Sequence, residues 1–162
     1  MTVAEDRTPR RPEELFKPET GRTYKEFWEK VAETREGAYL GVAGTLFDQP
    51  LDDEDMDIDG EAVAQVIGDT LAVGPEHKVL EIGVGVGRIA QHIAPRCGEF
   101  HGVDIAQNMI DVANKRLGDR GNVHLKALER TGLEPYADGT FDRVYCQIVM
   151  IHIDREDVYQ YI

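Results

Sequence analysis

The sequence predicts an α/β chain built on a doubly wound parallel sheet. An apolar run, Val79 to Ile82, holds an acid, Glu81, and breaks into three glycines at alternate positions, Gly83, Gly85 and Gly87, before the pattern turns helical. A second apolar stretch, Phe100 to Val103, closes on Asp104, about twenty residues on, the spacing of an α/β nucleotide site. Two more strands read as Val123 to Ala127 and as Phe141 to Val149, the latter rich in β-branched, aromatic and other apolar residues.

Taken in order, residues 1–20 hold Pro9, Pro12 and Pro18 among charges and predict a flexible arm. Thr23 with Glu26 is a capping-box signal, and Tyr24, Phe27, Trp28, Val31 and Ala32 then recur at helical spacing, with an expected end near Gly37. Tyr39 to Phe47, carrying Gly41 and Gly44, is ambiguous. Asp55, Asp57, Asp59 and Gly60 match the opening of an EF-hand loop, but Val66 stands where its closing glutamate would be, so the acidic run Asp52 to Asp59 is expected to be a solvated loop. A helix is predicted over Ala62 to Leu71, with Val63, Val66, Ile67 and Leu71 inward, broken by Gly74-Pro75. Residues 21–74 thus read as a helical cap and 75–162 as the sheet domain.

Glycines permit positive φ and let a ligand approach the backbone. The helix expected from about Arg88 points its free N–H groups over the turn. Dinucleotide folds hold a pyrophosphate there with G-x-G-x-x-G. Counted from Gly83 the third place is Arg88; counted from Gly85 it is Ala90, which the pattern's alanine tolerance admits. Glu81 would repel a pyrophosphate, yet suits a ligand carrying an ammonium and a sulfonium.

The stretch VLEIGVGVGRIA, with Asp104 beyond it, resembles the cofactor loop of class I S-adenosylmethionine-dependent methyltransferases with the Rossmann-like fold. The similarity extends over roughly Pro75 to Ile162. It implies that S-adenosylmethionine is the cofactor, held by Glu81, Gly83, Val84, Gly85 and Gly87, with Asp104 on the ribose hydroxyls and Ile105 and Met109 flanking the adenine. Met109 equally suits core packing, whereas Ile110, Ala113 and Leu117 recur as the inner face of their helix. The family's Gly-Asp at the third strand's end is absent; a gapless reading puts Glu129 at the acid that bonds the adenine amino group, or leaves it a surface glutamate. Asp142 reads as structural. Gln147, near the end of an apolar strand, calls for a polar partner and is a cofactor or substrate candidate.

His152 falls where related methyltransferases often carry a histidine at the active-site mouth, suited to deprotonating an acceptor; packing against the sheet is the alternative. In the cap, Trp28 and Tyr39 either touch the cofactor or pack the cap, and Arg22 or Arg35 could meet the methionine carboxylate. His77, His92, His101 and His124 show no metal-ligand spacing, and no metal is expected.

Charge narrows the partners. With 31 acids against 18 bases, net −13, a nucleic-acid backbone or an anionic membrane surface is disfavoured. No apolar run approaches a membrane span, no signal peptide is recognisable, and Cys97 and Cys146 form no C-x-x-C, which together suit the cytoplasm. The expected function is methyl transfer to an oxygen, nitrogen or carbon of a small-molecule acceptor. A non-catalytic S-adenosylmethionine-binding or interaction module is the alternative, and a nicotinamide or flavin oxidoreductase fragment a third.

The resembling family has seven strands, and four are recognisable here. The chain therefore reads as an incomplete domain whose C-terminal strands are missing, with Asp154 capping a final helix that carries Val158, Tyr161 and Ile162. The unpaired edge of the fourth strand would invite self-association.

Overall fold

The computed structural model describes residues 23–43 and 52–162. The predicted arm, Arg22, Gly44 and Phe47 lie outside the described residues.

Four strands form one parallel sheet: β1 (Lys78–Ile82), β2 (Glu99–Asp104), β3 (Val123–Ala127) and β4 (Arg143–Cys146), in the order β3-β2-β1-β4. The chain steps outward from β1 to β3 and then returns to the far side of β1. That reversal opens a crevice at the carboxyl ends of β1 and β4, where open α/β sheets bind ligands. Asp142, as expected, is structural: its carboxylate accepts from the Lys78 N–H at 2.7 Å while its own N–H donates to the Lys78 carbonyl at 2.9 Å.

β4 is shorter than the predicted Phe141–Val149 strand and is half-exposed rather than buried. Among the described residues it pairs only with β1, and its Val144 faces outward at 46% exposure. The ladder stops at Cys146, because Ile148 takes a positive φ of 60° and Met150–His152 wind into a 3-10 turn. The last helix is one turn, Arg155–Val158; Asp154 has the extended backbone of an N-cap, without a side-chain cap bond.

The helices precede and join the strands: α1 (Tyr24–Val31), α2 (Arg35–Ala43), α3 (Asp53–Thr70), α4 (Ala90–Ile93), α5 (Gln107–Leu117) and α6 (Arg155–Val158). The Thr23–Glu26 capping box forms as expected. The single helix expected to end near Gly37 is instead two, because the Thr34 hydroxyl accepts from the Gly37 N–H at 3.0 Å and starts α2. The helix expected from Arg88 begins at Ala90 and passes after one turn into a 3-10 turn at Ala94–Arg96, with Pro95 near its start.

The larger correction concerns the acidic run. Asp52 to Asp59 is no solvated loop: Asp52 caps α3 in a capping box with Asp55, and the helix opens at Asp53, well before Ala62. Acids in a first helical turn favour the helix through its dipole. Four acids of the helix have basic or amide partners. Asp53 pairs with Arg35 and Arg116, Asp57 with Gln91 and His92, Asp59 with Arg88, and Asp69 with Arg96. Gly60 allows the close approach, since a Cβ there would lie 2.1 Å from the Arg88 carbonyl oxygen.

One face of the sheet is sealed by α3, α4 and α5, through Ala64, Ile93, Ile110 and Leu117 on Val79, Phe100 and Tyr145. On the other face Leu128, Leu133, Tyr136 and Phe141 pack on Leu80, Ile82 and Val103. A third cluster joins α1 and α2 to the glycine turn and α5 through Trp28, Tyr39, Val86 and Met109.

Candidate functional site

A cavity opens at the sheet reversal, floored by the ends of β1 and β2 and roofed by α1 and the segment after β4. Glu81, Gly83, Val84, Gly85, Asp104, Ile105, Met109, Gln147 and His152, nine of the eleven candidates, line it together.

The glycine turn is built from backbone. Gly83 and Gly85 take φ of 74° and 53°, and the Gly83 and Val84 N–H groups donate to the Val103 carbonyl at 2.8 and 2.9 Å. A Cβ on Gly83 would lie 2.2 Å from Val149, and one on Gly85 2.5 Å from Val42, both cavity-lining side chains. The missing side chains are therefore what keeps this part of the cavity open.

Asp104 ends β2 and is clamped by backbone. Its carboxylate accepts from the Gly85 N–H at 2.9 Å and the Ala106 N–H at 3.0 Å. Burial raises its pKa to about 6, against the lowering by these N–H donors. Two donors leave acceptor lone pairs, which a ligand's paired hydroxyls could use. Glu81 is 2% exposed. Tyr145 donates to it at 3.0 Å; burial nonetheless drives its pKa to about 8, with Tyr145 and Arg88 pulling the other way. A cation brought into the cavity would stabilise both carboxylates.

His152 meets Trp28 edge-on at 5.2 Å between ring centroids, and both line the cavity. Burial lowers the His152 pKa, so its imidazole is neutral at pH 7. Trp28 therefore both packs the cap and lines the cavity. Gln147 is half-buried beside Ile148.

The remaining candidates lie elsewhere. Gly87 is outside the lining; its φ is 78° and a Cβ would press on Ala113 and Leu117, so it serves the packing of α5 on the turn. Glu129 points to the surface and pairs with Lys25 at 3.0 Å, because the buried Leu128 before it turns inward instead. Tyr39 packs beneath the cap with its hydroxyl on Asp53, and Arg35 pairs with that same aspartate. Neither lines the cavity.

Sequence reasoning missed Tyr24, Val42, Arg88, Thr131, Val149 and Tyr161, all in the lining. Only Arg88, directly after the glycines, carried a signal. The Tyr24 hydroxyl accepts from the Asp154 N–H at 2.7 Å, a contact across the chain that no local pattern announces.

A family model described as a methyltransferase domain matches residues 79–162, over half the chain. The chain belongs to this family, the class I S-adenosylmethionine-dependent methyltransferases, whose cofactor is S-adenosylmethionine. The methyltransferase GfsG of Streptomyces halstedii is 35% identical over 104 residues, 61% of this chain and 37% of that protein. Phosphoethanolamine N-methyltransferase 2 of Caenorhabditis elegans is 29% identical over 153 residues, 90% of this chain and 33% of that protein. The matched stretch thus spans about a third of the length of these relatives. Among solved structures, Haemonchus contortus phosphoethanolamine N-methyltransferase 1, in complex with phosphoethanolamine and S-adenosylhomocysteine, shares the fold at a TM-score of 0.63 and 17% identity, over 85% of this chain and 29% of that one. Among the described residues no helix is long and apolar enough to cross a membrane.

Proposed function

We propose that this domain transfers the sulfonium methyl of S-adenosylmethionine to an oxygen, nitrogen or carbon of a small-molecule acceptor. The observation that carries the proposal is a pair of carboxylates, the buried Glu81 and the half-buried Asp104, lining one cavity beside a glycine turn. The cofactor supplies the reactive methyl group; the protein supplies position.

In this reading Asp104 accepts from the ribose hydroxyls, and its two backbone donors fix the carboxylate before the ligand arrives. Glu81 faces the cationic portion, where a positive charge restores its ionised form. Ile105 and Met109 form the apolar wall for the adenine. The acceptor enters beside Trp28 and His152, and the neutral His152 takes its proton where the acceptor carries one. Relatives named as N-methyltransferases and O-methyltransferases favour a small acceptor.

The test is thermal unfolding of the full chain with S-adenosylhomocysteine, beside Asp104→Ala. A ligand that binds only the folded state raises its apparent stability. A dose-dependent rise in Tm is expected for the unaltered chain and not for the folded variant, with NADH giving none. An undiminished rise in Asp104→Ala would remove the ribose role.

A further inference from the structure

On the opposite edge of the sheet, outside the cavity, a second group of polar side chains meets. His101 of β2 and His124 of β3 are register partners, so their side chains stand on the same face of neighbouring parallel strands. Glu99 lies two residues before His101 on that face. One ligand atom from each of the three falls within 4.8 Å of the others. The Glu99 Oε1 is 2.6 Å from His101 Nε2 and 3.8 Å from His124 Nε2. The imidazoles stack tilted at 4.9 Å, and Phe141 and Tyr136 stand edge-on to His101 at 5.1 and 5.6 Å, fixing its ring.

We infer that Glu99, His101 and His124 form a zinc-type divalent metal site that staples β3 to β2. Two imidazole nitrogens and one carboxylate oxygen are a known zinc donor set, with bonds of about 2.0–2.2 Å, which places tetrahedral ligand atoms about 3.3–3.5 Å apart. The two carboxylate–imidazole separations bracket that spacing. His124 is half-exposed, which leaves the fourth position to water. The ammonium of Lys78 now sits 2.9 Å from the same Glu99 oxygen and occupies the place of the ion's charge. Sequence spacing could not reveal this group, because strand pairing joins residues from separate segments. The role is architectural: β3 pairs only with β2 among the described residues, and an ion across the pair would tie that edge strand.

The experiment is calorimetric titration of the full, chelator-stripped chain with ZnCl2 under a non-chelating reductant. One-to-one saturable binding is expected, with a zinc-dependent rise in Tm. Loss of a group merely supporting a ligand costs about 10–100-fold in affinity. His124→Ala, at a half-exposed position, should therefore weaken binding at least about tenfold, and Glu99→Gln likewise. Lys78→Ala, which removes the competing ammonium, should tighten binding, whereas His92→Ala should leave it unchanged. No saturable binding would overturn the inference, as would affinity unaltered in both His124→Ala and Glu99→Gln with native circular dichroism.

Discussion

Tyr145 and Glu81 are register partners on β4 and β1, and the tyrosine hydroxyl donates to the carboxylate at 3.0 Å. A buried acid at the carboxyl end of β1 is thereby held by the neighbouring strand, with its carboxyl group lining the cavity.

Glu81 makes stability depend on pH. Its pKa rises from 4.5 to about 8 on folding, so between these values the folded chain keeps a proton that the unfolded chain has released. Stability then falls as pH climbs through that window, by up to about 1.4 kcal/mol per pH unit. Asp104, raised from 3.8 to about 6, acts in the same sense lower down. His101 and His152, whose pKa values burial lowers from 6.5, act in the opposite sense at acid pH. Urea unfolding from about pH 7 to 8.5 should isolate the Glu81 slope. Glu81→Gln should flatten it; an unchanged slope would assign it elsewhere.

Tyr145→Phe removes the hydroxyl without changing ring volume. The carboxylate then loses a buried donor, which costs about 1–3 kcal/mol. Glu81 should move further up in pKa, shifting the pH dependence of urea unfolding to higher pH.

The glycines of the turn should differ sharply from a glycine in a loop. Gly83→Ala meets both a positive φ and a Cβ contact of 2.2 Å with Val149, whereas Gly139, at φ 70°, has nothing within 4 Å. Gly139→Ala should cost only the left-handed backbone penalty, about 1–2 kcal/mol. Gly83→Ala should cost more and abolish the Tm shift by S-adenosylhomocysteine. Equal costs in denaturant titrations would show that Val149 yields freely.

Arg88 is 8% exposed at its side chain and ion-pairs with Asp59 of α3. Asp59→Ala leaves a nearly buried guanidinium without that carboxylate. Discounted for the half-exposed aspartate, the loss should be about 1–3 kcal/mol. Asp52→Ala, which removes only a cap, should cost about 1 kcal/mol. Chemical denaturation of the two variants separates docking of α3 from its initiation.

His152→Ala tests the acceptor side. Loss of a general base lowers rate by about 10²–10⁴-fold. The fall should appear in kcat, while the S-adenosylhomocysteine-induced Tm shift persists. A loss of cofactor binding instead would make His152 a wall of the cofactor pocket.

The sheet and glycine turn were legible because their signals are local. The residues Val123 to Ala127 alternate as a strand and form one over the expected range. Gly83, Gly85 and Asp104 announced themselves by type and spacing. The acidic helix was misread because its partners, Arg35, Arg88, Arg96 and Arg116, stand far away in sequence, and isolated aspartates look like solvent-facing charge. Of the two readings of Glu129, the surface one matches its exposed pairing with Lys25, and gapless counting could not choose between them because it cannot tell which of two neighbours turns inward. β4 was drawn too long because its apolar run continues past the point where Ile148 reverses the backbone.

The N-cap of α5 is Ala106, which has no side-chain oxygen to cap the helix. Glu29 of α1 does so instead, accepting from the Gln107 and Asn108 N–H groups at 2.8 and 3.0 Å, while its carbonyl receives the Asn108 amide at 3.0 Å. Orphan donors at a helix start otherwise go to water. The first turn of α5 is therefore completed across the chain by α1, although α5 itself sits between two strands. The pocket wall carrying Ile105 and Met109 thus leans on a carboxylate almost eighty positions upstream, and the shape of the cavity is tied to the docking of a helix that lies outside the sheet domain.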